Sequence, residues 1–198
     1  MATAALNHMT PEEYLARERQ ARFKSEFVDG RMLAMTGVTR LHGLIVSGLV
    51  REIDAYLLET PCEVFSSDMR VKISPSRDYV YPDVVVACDP QFEDGMLDTL
   101  ANPIVIMEVL SDSTEKYDRG EKFTMYRRIE TLREYVLLSQ KRVLVEHYIR
   151  EGDFWQHSII DDPDASLVLA SVGVSVPLRL IYHRTLRLEA WAQPQAET

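Results

Sequence analysis

The chain reads as one α/β (or α+β) domain with a mixed central sheet flanked by helices, and three features of the sequence predict it. Ile104-Val105-Ile106-Met107-Glu108-Val109-Leu110 is apolar at nearly every position, the pattern of a strand covered on both faces. Two segments, 11–22 and 41–57, carry helix start signals or a helical apolar period. Between and after them run many short β-type segments separated by turns, giving the order helix, hairpin, helix, several strands, helix, several strands. At 198 residues the chain is long enough for one domain with a sizeable core, which we place at 1–191 with 192–198 as a frayed tail.

The elements follow in order. Thr10 can cap a helix, Pro11 suits its first position, and Glu13 completes a capping box, so a helix is expected from 11 to about 22. Asp29-Gly30 between the short runs 25–28 and 31–33 signals a hairpin, because both turn residues must tolerate positive φ. Leu41, Leu44, Ile45, Leu49, Ile53 and Leu57 keep a helical period that Pro61 stops. His42, near the start of that helix, reads as a partly exposed or internally satisfied histidine. Strands are expected at 62–65, 68–73 and 81–87, the last entered through Pro82, with 74–78 as a loop and 91–102 as a polar excursion. After the central strand, Asp118 and Glu121 mark a helix on which Lys122, Tyr126 and Ile129 share a face. Strands at 134–139, 141–150, 154–160, 167–171 and 174–178 complete the set, followed by a short helix at 186–191.

Composition narrows the function. A net charge of -9 argues against a protein that coats nucleic acid non-specifically, since phosphate affinity comes from Lys and Arg. It leaves room for a local basic groove. Cys62 and Cys88 form neither a disulfide framework nor a zinc pattern and read as buried thiols in a reducing compartment. The first ten residues lack a basic region followed by an apolar core, and no uncharged stretch is long enough to span a bilayer, so a cytoplasmic protein without a membrane partner is expected.

Glu108 raises the chemical question. An ionised carboxylate inside an apolar strand is costly unless it is paired, hydrogen-bonded or metal-bound, although at a strand end it could reach water. Asp83, 25 residues earlier, lies on a strand joined to that of Glu108 by one excursion, so the two strands can be neighbours. Carboxylates at the ends of adjacent strands can hold Mg²⁺, which prefers hard oxygen ligands and commonly takes one or two carboxylates with waters and phosphate. Glu26 on the hairpin and Lys122 on the following helix complete the candidate set, with a lysine positioned to orient water or offset phosphate charge. Each also has a plain reading as a turn, surface or solvated residue.

Pro82-Asp83, followed on the next strand by Glu108, resembles the PD-(D/E)XK nuclease superfamily and its restriction-endonuclease-like fold. The ordered set Glu26-Phe27-Val28-Asp29-Gly30, Tyr81-Pro82-Asp83, Glu108-Val109-Leu110-Ser111, Asp118, Lys122, Tyr126 and Glu134-Tyr135 resembles one branch, the Uma family. The superfamily lysine, one residue beyond the glutamate's neighbour, is Leu110 here. The resemblance implies that Lys122 supplies the amine instead. It further implies that Asp83 and Glu108 bind the metal, Mg²⁺ with Mn²⁺ as a substitute. Glu26 would be a further ligand or orient a water, and Tyr126 would support from behind. A fold does not determine an activity. Three readings stay open: a Mg²⁺-dependent DNA endonuclease, acting as a homodimer so that two sites meet two strands; an idle binding or assembly module; and a hydrolase of small phosphorylated or sugar substrates. Lys116, Arg119, Lys122, Arg127 and Arg128 supply the positive charge expected near the site.

Overall fold

A computed structural model describes residues 9–186 except 36, 75 and 113. The expected helix at 186–191 and tail at 192–198 lie, save Leu186, outside the described residues. Helix α1 (Pro11–Glu18) starts with the expected box, Thr10 accepting from the Glu13 amide and Glu13 from the Thr10 amide. It ends four residues before the expected Arg22. Glu18 is buried there, and its carboxylate accepts from the Ser25 amide and the Tyr81 hydroxyl, drawing the chain into β1. Strands β1 (Ser25–Val28) and β2 (Arg31–Ala34) form the hairpin, with Asp29 and Gly30 both at positive φ. Helix α2 (Arg40–Leu57) is capped by Thr39 and buries the stripe His42, Ile45, Gly48, Leu49, Ile53 and Leu57.

Then come β3 (Cys62–Ser66), β4 (Arg70–Ile73), β5 (Asp78–Val80), β6 (Val84–Cys88), β7 (Thr99–Leu100) and β8 (Val105–Leu110). A helical segment in three parts follows: α3 (Glu115–Tyr117), a π turn (Asp118–Lys122) and α4 (Phe123–Tyr126). The chain closes with β9 (Glu134–Ser139), β10 (Val145–Glu151), β11 (Phe154–Ile160), β12 (Ser166–Leu169), β13 (Val174–Pro177) and α5 (Leu178–Ile181).

The mixed α/β class holds, but the expected single sheet is two sheets and a ribbon. A six-stranded sheet has the order β11-β10-β9-β8-β6-β3, and a five-stranded one β2-β1-β5-β4-β7; β12 and β13 pair alone. The strand expected over 81–87 begins only at Val84, and a further strand, β5, precedes it, for the same reason. β5 ends in one sheet, β6 begins in the other, and Tyr81-Pro82-Asp83 carries the chain between them. Pro82 has no N–H to give a ladder, which suits a crossing point.

Strand β8 is buried along its whole length, as its apolar run predicts. Val105, Met107 and Val109 face a core shared with α2, β12, β13 and α5. Ile106 and Leu110 face a second core with β4, β5 and α4. Glu108 lies between them on the same face and so points toward α4. Two contacts seal the first core. A Cβ at Gly48 would lie 2.6 Å from the Ile181 carbonyl oxygen, so only glycine permits that approach of α2 to α5. The buried Tyr182 donates its hydroxyl to the carbonyls of Ser139 and Leu144, closing the turn between β9 and β10. The reading of Cys62 and Cys88 as thiols is corrected: they stand opposite one another in the β3–β6 pairing and are joined as a disulfide. No helix among the described residues is long and apolar enough to cross a membrane.

Candidate active site

The β6–β8 register sets Val84 opposite Met107, so the next residue out, Asp83, meets Glu108. The Asp83 amide donates to Glu108 Oε2 at 3.3 Å, and the Val109 amide donates to Asp83 Oδ2 at 2.7 Å. The π turn brings Lys122 beneath them. Its Nζ lies 2.9 Å from Glu108 Oε1, 3.4 Å from Glu26 Oε1 and 3.8 Å from Asp118 Oδ1. One helical turn on, Tyr126 donates its hydroxyl to Glu108 Oε1 at 2.6 Å. Glu26 Oε1 also accepts from the Tyr81 amide at the crossing segment. All five residues named from the sequence therefore meet in one place.

Two neighbours were not anticipated. His42 is buried on the first turn of α2, with Nε2 2.9 Å from Asp83 Oδ2 and with no partner for Nδ1 among the described residues. Nothing local marks it, because its partner is 41 residues away. Asp118, read as a helix cap, is instead buried beside Lys122 inside the π turn, and its carbonyl accepts from Tyr135. Its position four residues before Lys122 was the available signal. These groups line one wall of a cavity of about 450 Å³. Its lining also includes Leu33 of β2 and Met35 and Val38 of the β2–α2 connection.

The expected belt of positive charge does not gather here. Lys122 alone is in the cavity. Arg119 is taken up by Glu115 and Glu146, Lys116 is exposed, and Arg127 and Arg128 line a separate cleft.

Carboxylates outnumber cations at this spot, and titration reflects it. Burial pushes the Glu108 carboxyl up to about 8; Lys122 opposes the shift, and Asp83 and Asp118 add to it. Burial likewise raises Asp118. Burial disfavours the charged ammonium of Lys122, yet Glu108, Glu26 and Asp118 together outweigh it and hold its pKa well above the usual lysine value. Lys122 stays protonated, and Glu108 is the carboxyl that retains its proton most readily.

The donor set suits a hard divalent cation, and a bound cation would favour the ionised form of Glu108, which burial first and then the charges of Asp83 and Asp118 disfavour. Among the described residues, however, no three His, Cys, Asp or Glu side chains converge closely enough to hold an ion. Lys122 and Tyr126 share one oxygen of Glu108, while His42 and Val109 share one of Asp83. Among the described residues, Asp83 Oδ1 and Glu26 Oε2 make no hydrogen bond. Two carboxylates, Asp83 and Glu108, are the pair that fits, and Glu26 stands across Lys122 from them.

The sequence profile of Uma2, a family described as "Putative restriction endonuclease", matches residues 11–179. The chain belongs to this family. Two cyanobacterial relatives from Synechocystis sp. are similar over most of their length and are themselves described as uncharacterized. One, sll1609, is 40% identical over 154 residues, covering 77% of this chain and 87% of its own. The other, slr1290, is 34% identical over 180 residues, covering 91% and 94%. Among solved structures, a "putative nuclease belonging to DUF820" from Anabaena variabilis superposes with a TM-score of 0.71 at 16% identity, over 88% of this chain and 98% of that one. At that identity the likeness establishes a shared fold. The restriction-endonuclease-like fold implied by Asp83 and Glu108 is the one this Uma2 chain adopts.

Proposed function

We propose that this Uma2 protein is a metal-dependent endonuclease that hydrolyses DNA phosphodiester bonds, in the manner of the PD-(D/E)XK superfamily. The observation that carries the reading is the meeting of Asp83 and Glu108 on paired strands above the ammonium of Lys122. The slot that holds the superfamily lysine is Leu110, a core residue, while the Lys122 amine reaches Glu108 from the following helix. That geometry supports a relocated lysine. Asp83 and Glu108 would hold Mg²⁺, or Mn²⁺, with Glu26 as a further ligand or as the group that orients water. When bound, the cation supplies Lewis acidity toward a phosphoryl oxygen.

The chain's own residues do the rest. Lys122, protonated and flanked by carboxylates, donates hydrogen bonds to the scissile phosphate or to the attacking water and offsets charge that develops there. Tyr126 fixes the Glu108 carboxyl through Oε1. His42 and the Val109 amide fix Asp83 through Oδ2, leaving Oδ1 directed to a ligand. Leu33 and Val38, both exposed, give the cavity an apolar lining on its open side. Two copies would present two such sites to the two strands of a duplex.

A second reading, a binding module with an idle site, draws on the mutual occupation of the carboxylate oxygens by Lys122, Tyr126 and His42. Plasmid nicking with Mg²⁺ and with Mn²⁺ separates the two. Nicking by the parent that both EDTA and Asp83→Ala remove is the expected result. Absence of nicking, or nicking that survives Asp83→Ala, overturns the nuclease reading in favour of the binding module.

A further inference from the structure

A second cleft, of about 610 Å³, opens beyond the end of α4, where the chain turns into β9 and meets the β10–β11 hairpin. Arg127 and Arg128 enter it just after α4, Arg133 just before β9 and Arg150 from β10, and Trp155 of β11 also lines it. In a chain with a net charge of -9, four guanidiniums in one cleft need compensation. Among the described residues none of the four is paired with a carboxylate, although Arg19, Arg70, Arg77 and Arg119 all are. Glu130 and Asp153 also line the cleft and act on Arg150 through charge alone, with no ion pair to any of the four among the described residues.

The four arginines divide into two roles. Arg150 is a brace: it donates to the carbonyls of Arg127, Ile129, Glu130 and Leu132 and lies 5.0 Å over the Trp155 ring. Its pKa is pulled below the ordinary arginine value, first by desolvation and then by the nearby charges of Arg133 and Arg127. Arg127, Arg128 and Arg133 are exposed. Arg127 rests on the Phe123 ring at 5.9 Å; among the described residues Arg133 bonds only to backbone carbonyls and Arg128 makes no side-chain hydrogen bond. All three sit on the stretch of chain whose carbonyls Arg150 ties together.

We infer that this arginine cleft is a binding site for the phosphates of a nucleic-acid strand, separate from the carboxylate cavity. Guanidinium is the group best shaped to grip phosphate oxygens, and it does so best when no carboxylate competes. A strand fits better than a lone anion, because the donors are spread across a cleft far larger than one phosphate. The cleft is also coupled to the cavity by a short path. The Arg133 amide bonds the Ile104 carbonyl, and Glu108 lies four residues along the same stretch, roughly 13 Å at strand rise. The inference rests on nucleic acid being the substrate class proposed above and does not rest on hydrolysis.

The test is fluorescence anisotropy with a short fluorescein-labelled single-stranded oligonucleotide, in EDTA, across a range of salt. The parent should bind with a steep salt dependence. Arg127→Ala/Arg128→Ala/Arg133→Ala should weaken binding about tenfold or more at low salt and reduce the salt slope by roughly 2, three contacts at about 0.7 each. The corresponding triple lysine variant should keep most of the slope. All three positions are exposed, so an unchanged melting temperature will report an intact fold. Failure of the parent to bind, equal binding by the triple alanine variant, or displacement of the strand by micromolar inorganic phosphate would overturn the inference. A parent that binds the strand and never cuts it refutes the hydrolysis and leaves this cleft standing. A parent that cuts, beside a triple alanine variant that both binds and cuts equally well, refutes the cleft and leaves hydrolysis standing.

Discussion

Replacing Glu108 by glutamine tests the electrostatic account of the cavity at its centre. Glu108 is 3% exposed, and its carboxyl is pushed from the usual 4.5 up to about 8 by burial, with Lys122 opposing and Asp83 and Asp118 reinforcing the shift. An acid whose folded pKa lies above its unfolded value holds its proton more tightly when folded. The stability it contributes is complete below the unfolded pKa and is lost as pH rises through the folded one. Glutamine has the shape of the protonated acid, still accepts from Tyr126 and does not titrate. Each pH unit inside that window corresponds to about 1.4 kcal/mol. Between pH 5 and pH 7 the stability of Glu108→Gln relative to the parent should therefore rise by about 3 kcal/mol. Urea denaturation in EDTA at several pH values measures it. A difference that stays constant with pH, or that moves in favour of the parent, would mean that Glu108 is ionised in the folded protein. The surplus-charge argument for a cation would then fail. Mg²⁺ provides a cross-check, since at a hundredfold excess over its Kd it should stabilise the parent by about 2.7 kcal/mol and the glutamine variant much less.

Further outcomes follow from the same geometry. Asp83→Ala should abolish Mg²⁺ binding measured by calorimetry while leaving the circular dichroism spectrum unchanged. Lys122→Ala should keep metal binding within a few-fold and lower kcat by about a hundredfold, the scale of one lost charge-stabilising donor; cleavage at the parent rate would remove the relocated lysine from the mechanism. Gly48→Ala should destabilise the fold by about 1–3 kcal/mol in chemical denaturation, because its Cβ would meet a backbone oxygen that α5 cannot easily move.

Much of this molecule was legible before its coordinates. The hairpin at Asp29-Gly30, the period of α2 and the apolar run of β8 are local signals, and each produced its element within a residue or two. The cavity was legible in part, because a carboxylate in an apolar strand demands a partner and Asp83 and Lys122 were the candidates in range. What escaped was nonlocal. His42 carries no mark of its partner Asp83, which the crossing segment ahead of β6 delivers. The split into two sheets turns on Tyr81-Pro82-Asp83, where a proline that reads as a strand entrance is a crossing between layers. The π turn leaves no trace in an apolar period, so Asp118 looked like a cap when it is a buried neighbour of the lysine. The Cys62–Cys88 bond depends on the register of β3 against β6, and no spacing rule supplies that.

The contact that Tyr182 makes with the Ser139 and Leu144 carbonyls bears on where the domain ends. The family profile stops at residue 179, yet a chain trimmed there would lose Ile181 and Tyr182, both buried. It would uncover the α2 face around Gly48 and leave two carbonyls in the β9–β10 turn without their donor. Similarity between sequences fades where side chains become free to vary, whereas a fold ends where the last indispensable hydrogen bond is made. In this protein those two boundaries differ, and the second lies at least three residues further on, at the phenol of Tyr182.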